Sequence, residues 1–113
     1  MSVYKTDYVV IGANIIDQVK NMSDRSFDYL ETLVEDSYGL KMIYDGMTGE
    51  YCVIGKVLSE IKEGEELSKI ISIDTIDLEC ITRDVEEEIE SNLSPLVRLC
   101  DTKIDLKVFS HYR

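Results

Sequence analysis

The groups able to do chemistry in this chain are few outside its carboxylates. His111 is the single histidine and stands three residues from the end of the sequence. A histidine-based triad would have to be assembled from a chain end, which is usually mobile. The expectation is therefore a half-exposed side chain at a strand end, with Ser110-His111-Tyr112-Arg113 completing a sheet edge. Cys52, Cys80 and Cys100 are far apart and form no C-x-x-C pair, so neither a zinc knuckle nor a thioredoxin-type redox pair is expected. Each lies among apolar residues. Three reduced thiols behaving as small hydrophobes are expected, and with them a cytoplasmic setting; one intramolecular disulfide is the alternative. No EF-hand spacing occurs, and Gly12-Ala13-Asn14 lacks the further glycines and the lysine of a phosphate loop. No cofactor and no metal site is expected, and no catalytic residue is assigned.

Charge narrows the partners. The 113 residues carry 12 Lys plus Arg against 23 Asp plus Glu, a formal charge of −11. Such a chain is poorly suited to replacing the counterions of a nucleic acid or adhering to an anionic membrane. No apolar run approaches the ~20 residues that cross a bilayer. Residues 1–7 are polar and lack a cleavage pattern, so no signal peptide is expected. The acids are unevenly spread: twelve, against three bases, fall within residues 60–90, which hold −9 of the net −11. On a helix over the later part of this segment, Glu79, Arg83, Glu86, Glu87 and Glu90 point away from the apolar stripe. The plain interpretation is a solvated face. The sharper one is a docking surface for a partner with a basic surface or groove, where ordered carboxylates stand in for phosphates.

The elements that would position these groups follow from periodicity. Thr6 to Ile11 is apolar and β-branched, a first strand ended by Gly12-Ala13-Asn14, and Ile15 to Lys20 fits a short helical turn. Ser23-Asp24 opens a helix over roughly 24–36, with Phe27, Leu30, Leu33 and Val34 on one face and Gly39 just past its end. Leu40 to Tyr44 and Tyr51 to Leu58 flank a loop with two glycines and form a hairpin, the second strand apolar on both faces and therefore central. Leu78, Ile81, Val85, Ile89 and Leu93 mark a second helix, capped by Thr75 or Asp77. Lys103 to Ser110 closes the chain as a strand whose apolar face is Ile104, Leu106 and Val108. Ile70, Ile71 and Ile73 fit either a short edge strand or a loop under the sheet.

Strand, helix, strand, strand, helix, strand is the order of a ferredoxin-like βαββαβ sandwich, an α+β fold with a four-stranded antiparallel sheet and two helices on one face. Residues 1–113 are expected to form one domain.

The hairpin Tyr44-Asp45-Gly46-Met47-Thr48-Gly49-Glu50-Tyr51-Cys52-Val53-Ile54-Gly55-Lys56 is the most distinctive stretch. Its glycines fit turns that need positive φ at Gly46 and Gly49, and a bulge or close-packing point at Gly55. As a functional loop it would present Tyr44, Met47 and Tyr51 to a partner. Together with Val108-Phe109-Ser110-His111-Tyr112 it resembles small acidic proteins encoded by bacteriophages. That resemblance implies a context in which small acidic proteins bind and disable a host protein, including components of host defence. With the acidic band and the lack of a catalytic constellation, a non-enzymatic protein that docks on a host protein and inhibits or redirects it is expected. Two other classes compete with it. One is a small-molecule or nucleotide-binding module with its pocket at a homodimer interface. The other is an enzyme using carboxylates with a divalent metal.

Overall fold

The computed structural model describes residues 5–37, 39–62, 74–94, 96–99 and 102–112. The elements run β1 (Lys5–Asn14), α1 (Ile16–Lys20), α2 (Asp24–Asp36), β2 (Lys41–Tyr44), β3 (Cys52–Lys62), α3 (Thr75–Asn92) and β4 (Asp105–Tyr112). The fold is α+β. The four strands form one antiparallel sheet in the order β2-β3-β1-β4, and the three helices contribute to the same core on one face of it. β3 and β1 are the inner strands, so β3 is central as its doubly apolar pattern predicts.

Local signals set the helices. Ser23 is the N-cap of α2, its hydroxyl accepting from the Ser26 amide at 3.2 Å. The bounds of α2 match the expected ones, and Gly39 adopts φ 86° beyond its end. The cap of α3 is Asp74 rather than Thr75 or Asp77. Its backbone is extended and its carboxylate accepts from the Asp77 amide at 2.8 Å. A cap must lie outside the helix and reach three residues in, and Thr75 and Asp77 are already helical.

The two inner strands are longer than local pattern suggests. β1 runs through Gly12-Ala13-Asn14, and β3 continues to Lys62, past the expected end at Leu58. Glycine ends a strand only when nothing holds it extended. Here Gly12 lies directly opposite Gly55. A Cβ on Gly12 would overlap the Ile54 carbonyl oxygen, and one on Gly55 the Ile11 carbonyl oxygen. Gly55 is therefore a close-packing point, and the register irregularity falls nearby, at Val9/Val10.

Two cores result. Toward the helices, Ile11, Ala13, Cys52 and Ile54 pack with Ile16 and Val19 of α1, Leu30 and Val34 of α2, and Val85, Ile89 and Leu93 of α3. On the other face Tyr8, Val10, Ile43 and Val53 are buried with Tyr51, Val57 and Phe109 against them. Of the apolar face expected for the last strand, Ile104 packs on the helix-side core, but Leu106 is 44% and Val108 73% exposed, whereas Phe109 and His111 of β4 turn into the second core. Alternation identifies two faces but not which of them finds a covering layer. Ile70, Ile71 and Ile73, with Gly64, Pro95 and Cys100, lie outside the described residues.

Candidate functional site

The second core has a geometry that a flat sheet could not produce. Val53 pairs with Asn14 at one end of β1, and His111 pairs with Thr6 at the other. Eight residues of strand separate Thr6 from Asn14, roughly 26 Å at the usual rise. Yet the Tyr51 hydroxyl lies 2.6 Å from His111 Nδ1, and the Tyr51 ring sits 5.4 Å from Phe109, centre to centre. The sheet must curl so that its ends approach on the side away from the helices. The Gly12–Gly55 pair, with no Cβ on either backbone, is placed to permit that curvature.

Inside the curl the aromatic rings are linked to polar groups. Tyr8 stacks on Phe109 at 5.7 Å and donates its hydroxyl to Glu60 at 3.2 Å. Lys41 Nζ lies 3.5 Å from Glu60 and 5.5 Å above the Tyr8 ring. Burial, and then the negative charge of Asp45, push the Tyr51 phenol above its ordinary value, so it stays protonated at neutral pH, hydrogen-bonded to His111 Nδ1.

The hairpin loop is organised by Asp45, which is buried. Its carboxylate accepts from the amides of Met47, Thr48 and Glu50, each at 3.1 Å, and from the Thr48 hydroxyl. The Thr48 hydroxyl chiefly, with those amides adding, holds the carboxyl down at about 2 against the opposing effect of burial. Gly49 takes φ 67°, whereas Gly46 does not need positive φ. Asp45 is thus committed to the loop's own amides. The loop leans over the curl, and a cleft of about 490 Å³ opens there, bordered by Tyr8, Lys41, Tyr44, Met47, Glu60 and His111 among others.

Of the hairpin residues singled out in the sequence, Tyr44 and Met47 border this cleft and are exposed. Tyr51 is turned inward onto Phe109 and His111 and is not presented to a partner. His111 is buried in a paired strand rather than half-exposed at a loose end. Tyr8, Lys41, Glu60 and His111 carry the polar chemistry of the cleft and were not legible as a group. The available signal was the spacing of Phe109 and His111, two apart on one strand face.

The acidic helix is the second candidate. Glu79, Glu86, Glu87 and Glu90 are all exposed on α3, and among the described residues none of them is in an ion pair. Three of them border depressions on different flanks of the helix. Glu79 and Glu86 border a groove between α3 and β4, of about 410 Å³. Glu87 borders a different depression on the opposite flank, with Asp84, Glu88 and Lys56.

Cys52 is buried, and burial pushes its thiol up to about 12, so it remains an unreactive apolar side chain; Cys80 is exposed, and both are free thiols. Among the described residues no cluster of three His, Cys, Asp or Glu side chains is arranged to hold a metal ion, and no helix is long and apolar enough to cross a membrane. No protein-family model, curated protein or solved structure matches the chain.

Proposed function

We propose that this chain is a binding protein that docks on a partner with a basic surface and inhibits or redirects it without making or breaking bonds. The observation that carries this reading is the outward face of α3. It is an 18-residue helix, anchored by Val85 and Ile89 and capped by Asp74, that holds four exposed glutamates against one arginine, Arg83, and among the described residues none of the four is in an ion pair. A rigid array of like charge raises association rates with a basic partner, and its effect weakens as salt rises. The resemblance of the hairpin and of β4 to bacteriophage proteins supports a host protein as that partner.

The test is co-purification from bacterial lysate with the wild-type chain and with a variant carrying E79K, E86K, E87K and E90K. The wild type should retain a partner that added salt releases, and the variant should lose it while its melting transition remains cooperative. Equal retention by both ends this reading.

One observation favours a second reading, a small-molecule module. The cleft over the curl is within the size range of ligand sites and combines tyrosine rings with Lys41, Glu60 and His111. It lies within one chain, so it does not need the homodimer interface that the sequence suggested. A metabolite or nucleotide that raises the melting temperature in the wild type, and not in a Lys41→Ala variant, would support it.

For the fold we propose the ferredoxin-like class. Its support is the interleaving of the two β-α-β halves: β3 lies between β1 and β2, and β1 between β3 and β4. The short α1 is an addition to that scheme.

A further inference from the structure

The helices do not cover the whole sheet. Among the described residues, α3 packs across β1 and β3, and the helix-side face of β4 stays open beyond Ile104, which packs on the core. Leu106 and Val108 lie on that face, opposite Ile11 and Val9, and stay 44% and 73% exposed. Between α3 and β4 runs the groove bordered by Leu78, Thr82, Ile104 and Leu106, with Glu79 and Glu86 on its helix wall. The Thr82 hydroxyl is bonded back to the Leu78 carbonyl at 2.7 Å, so that side chain has its hydrogen bond made within the helix. Arg83 and Asp105 also border the groove, and Asp105 is paired with Lys107. The groove is thus apolar along its floor, and its α3 wall carries Glu79 and Glu86 with Arg83 between them in sequence. An exposed apolar strip beside a charged wall is a usual mark of an interaction surface.

We infer that this groove receives a cationic segment of a partner protein, one that places apolar side chains on Leu106 and Ile104 while its Lys or Arg side chains reach Glu79 and Glu86. Charge complementarity selects this occupant. A second copy of the chain would bring another −11 and another acidic α3 toward the same wall. The inference rests on the proposed docking function and deepens it, because it divides the four glutamates. Glu79 and Glu86 act with an apolar floor, whereas Glu87, on the other flank with Asp84, does not.

The experiment titrates the full chain against three fluorescein-labelled octapeptides, alternating Lys/Leu, Lys/Ser and Glu/Leu, read by anisotropy. The Lys/Leu peptide should bind the wild type at least about tenfold more tightly than either other peptide. L106Q/V108Q and E79K/E86K should each weaken that binding about tenfold or more. D84K/E87K, an equal charge change on the opposite flank, should weaken it less than about threefold, a difference reflecting only distant charge. Circular dichroism confirms that each variant is folded. Equal binding of Lys/Ser and Lys/Leu peptides, or equal losses from the two charge-reversed pairs, would overturn the groove while leaving diffuse acidic docking intact. Absence of Lys/Leu binding would overturn it as well, with the lysate co-purification deciding the broader reading separately. If the wild type sediments as a dimer that L106Q/V108Q converts to monomer, a second copy occupies the face and the inference falls.

Discussion

The two sides of the sheet are closed by different physics. On the helix side the core is aliphatic, built from Ile11, Ile54, Leu30, Ile89 and Leu93, and the covering layer is supplied by separate elements. On the other side the sheet covers itself. Its core is rich in tyrosine and phenylalanine, and its rim is tied by polar contacts, Tyr51 to His111 and Tyr8 to Glu60. The aliphatic side draws on non-directional burial, which tolerates small shifts in angle. The curled side depends on directional contacts between residues remote along the strands, and so on a backbone able to bend. Both proposed binding regions lie where these coverings end: the cleft at the mouth of the curl, and the α3–β4 groove where the helical layer stops short.

The largest expected effect tests the helix side. Ile89→Ala should cost about 3 kcal/mol in urea unfolding, since a fully buried branched side chain leaves a cavity. If the two sides are separable, the tyrosine near-UV dichroism of its folded form should stay close to wild type. Gly55→Ala attacks the other side, where the new methyl group meets the Ile11 carbonyl. A loss of about 2 kcal/mol is expected, with the tyrosine dichroism reduced. Wild-type stability in that variant would show that the curl does not depend on the glycine pair.

Smaller changes sharpen the contrast. Tyr51→Phe removes the hydroxyl bonded to His111 and should cost about 1.5 kcal/mol, without loss of the helical signal. Asp74→Ala removes the α3 cap and should cost about 1 kcal/mol, read as amide exchange in the first turn of α3 with the curl unaffected. Equal spreading of both perturbations through the molecule would break the separation of the two sides.

The most local prediction concerns pH. Asp45 is held at about 2 in the folded chain, below its ordinary 3.8. Its contribution is therefore fully present above about pH 4, begins to fall as the pH drops below that value, and is lost as it passes through about 2. The amides of Met47, Thr48 and Glu50 should lose protection in that window. Retained protection at pH 1.5 would show that the carboxylate does not organise the loop.

Much of the fold was legible locally. The Ser23 cap, the 3–4 spacing of Phe27, Leu30 and Val34, and the stripe from Leu78 to Leu93 placed both long helices, because a helix is specified by residues one turn apart. The two-sided apolarity of β3 identified a central strand. Strand ends were less legible: Gly12 looks like a stop until Gly55 lies opposite it. The site was least legible of all. Tyr51 and His111 are sixty residues apart, and nothing near either announces the other.

By itself the sequence determined the acid excess, its concentration along α3, the amphipathic helices and the hairpin. All of these depend on composition or on neighbours within a few positions. Tertiary structure alone decided which face of β4 is buried, which glutamates share a groove with Leu106, and that the sheet closes over Tyr8, Tyr51 and His111. The reason is that alternation defines two equivalent faces of a strand. Only the layers packed against it, and the curvature of the whole sheet, decide which face meets water.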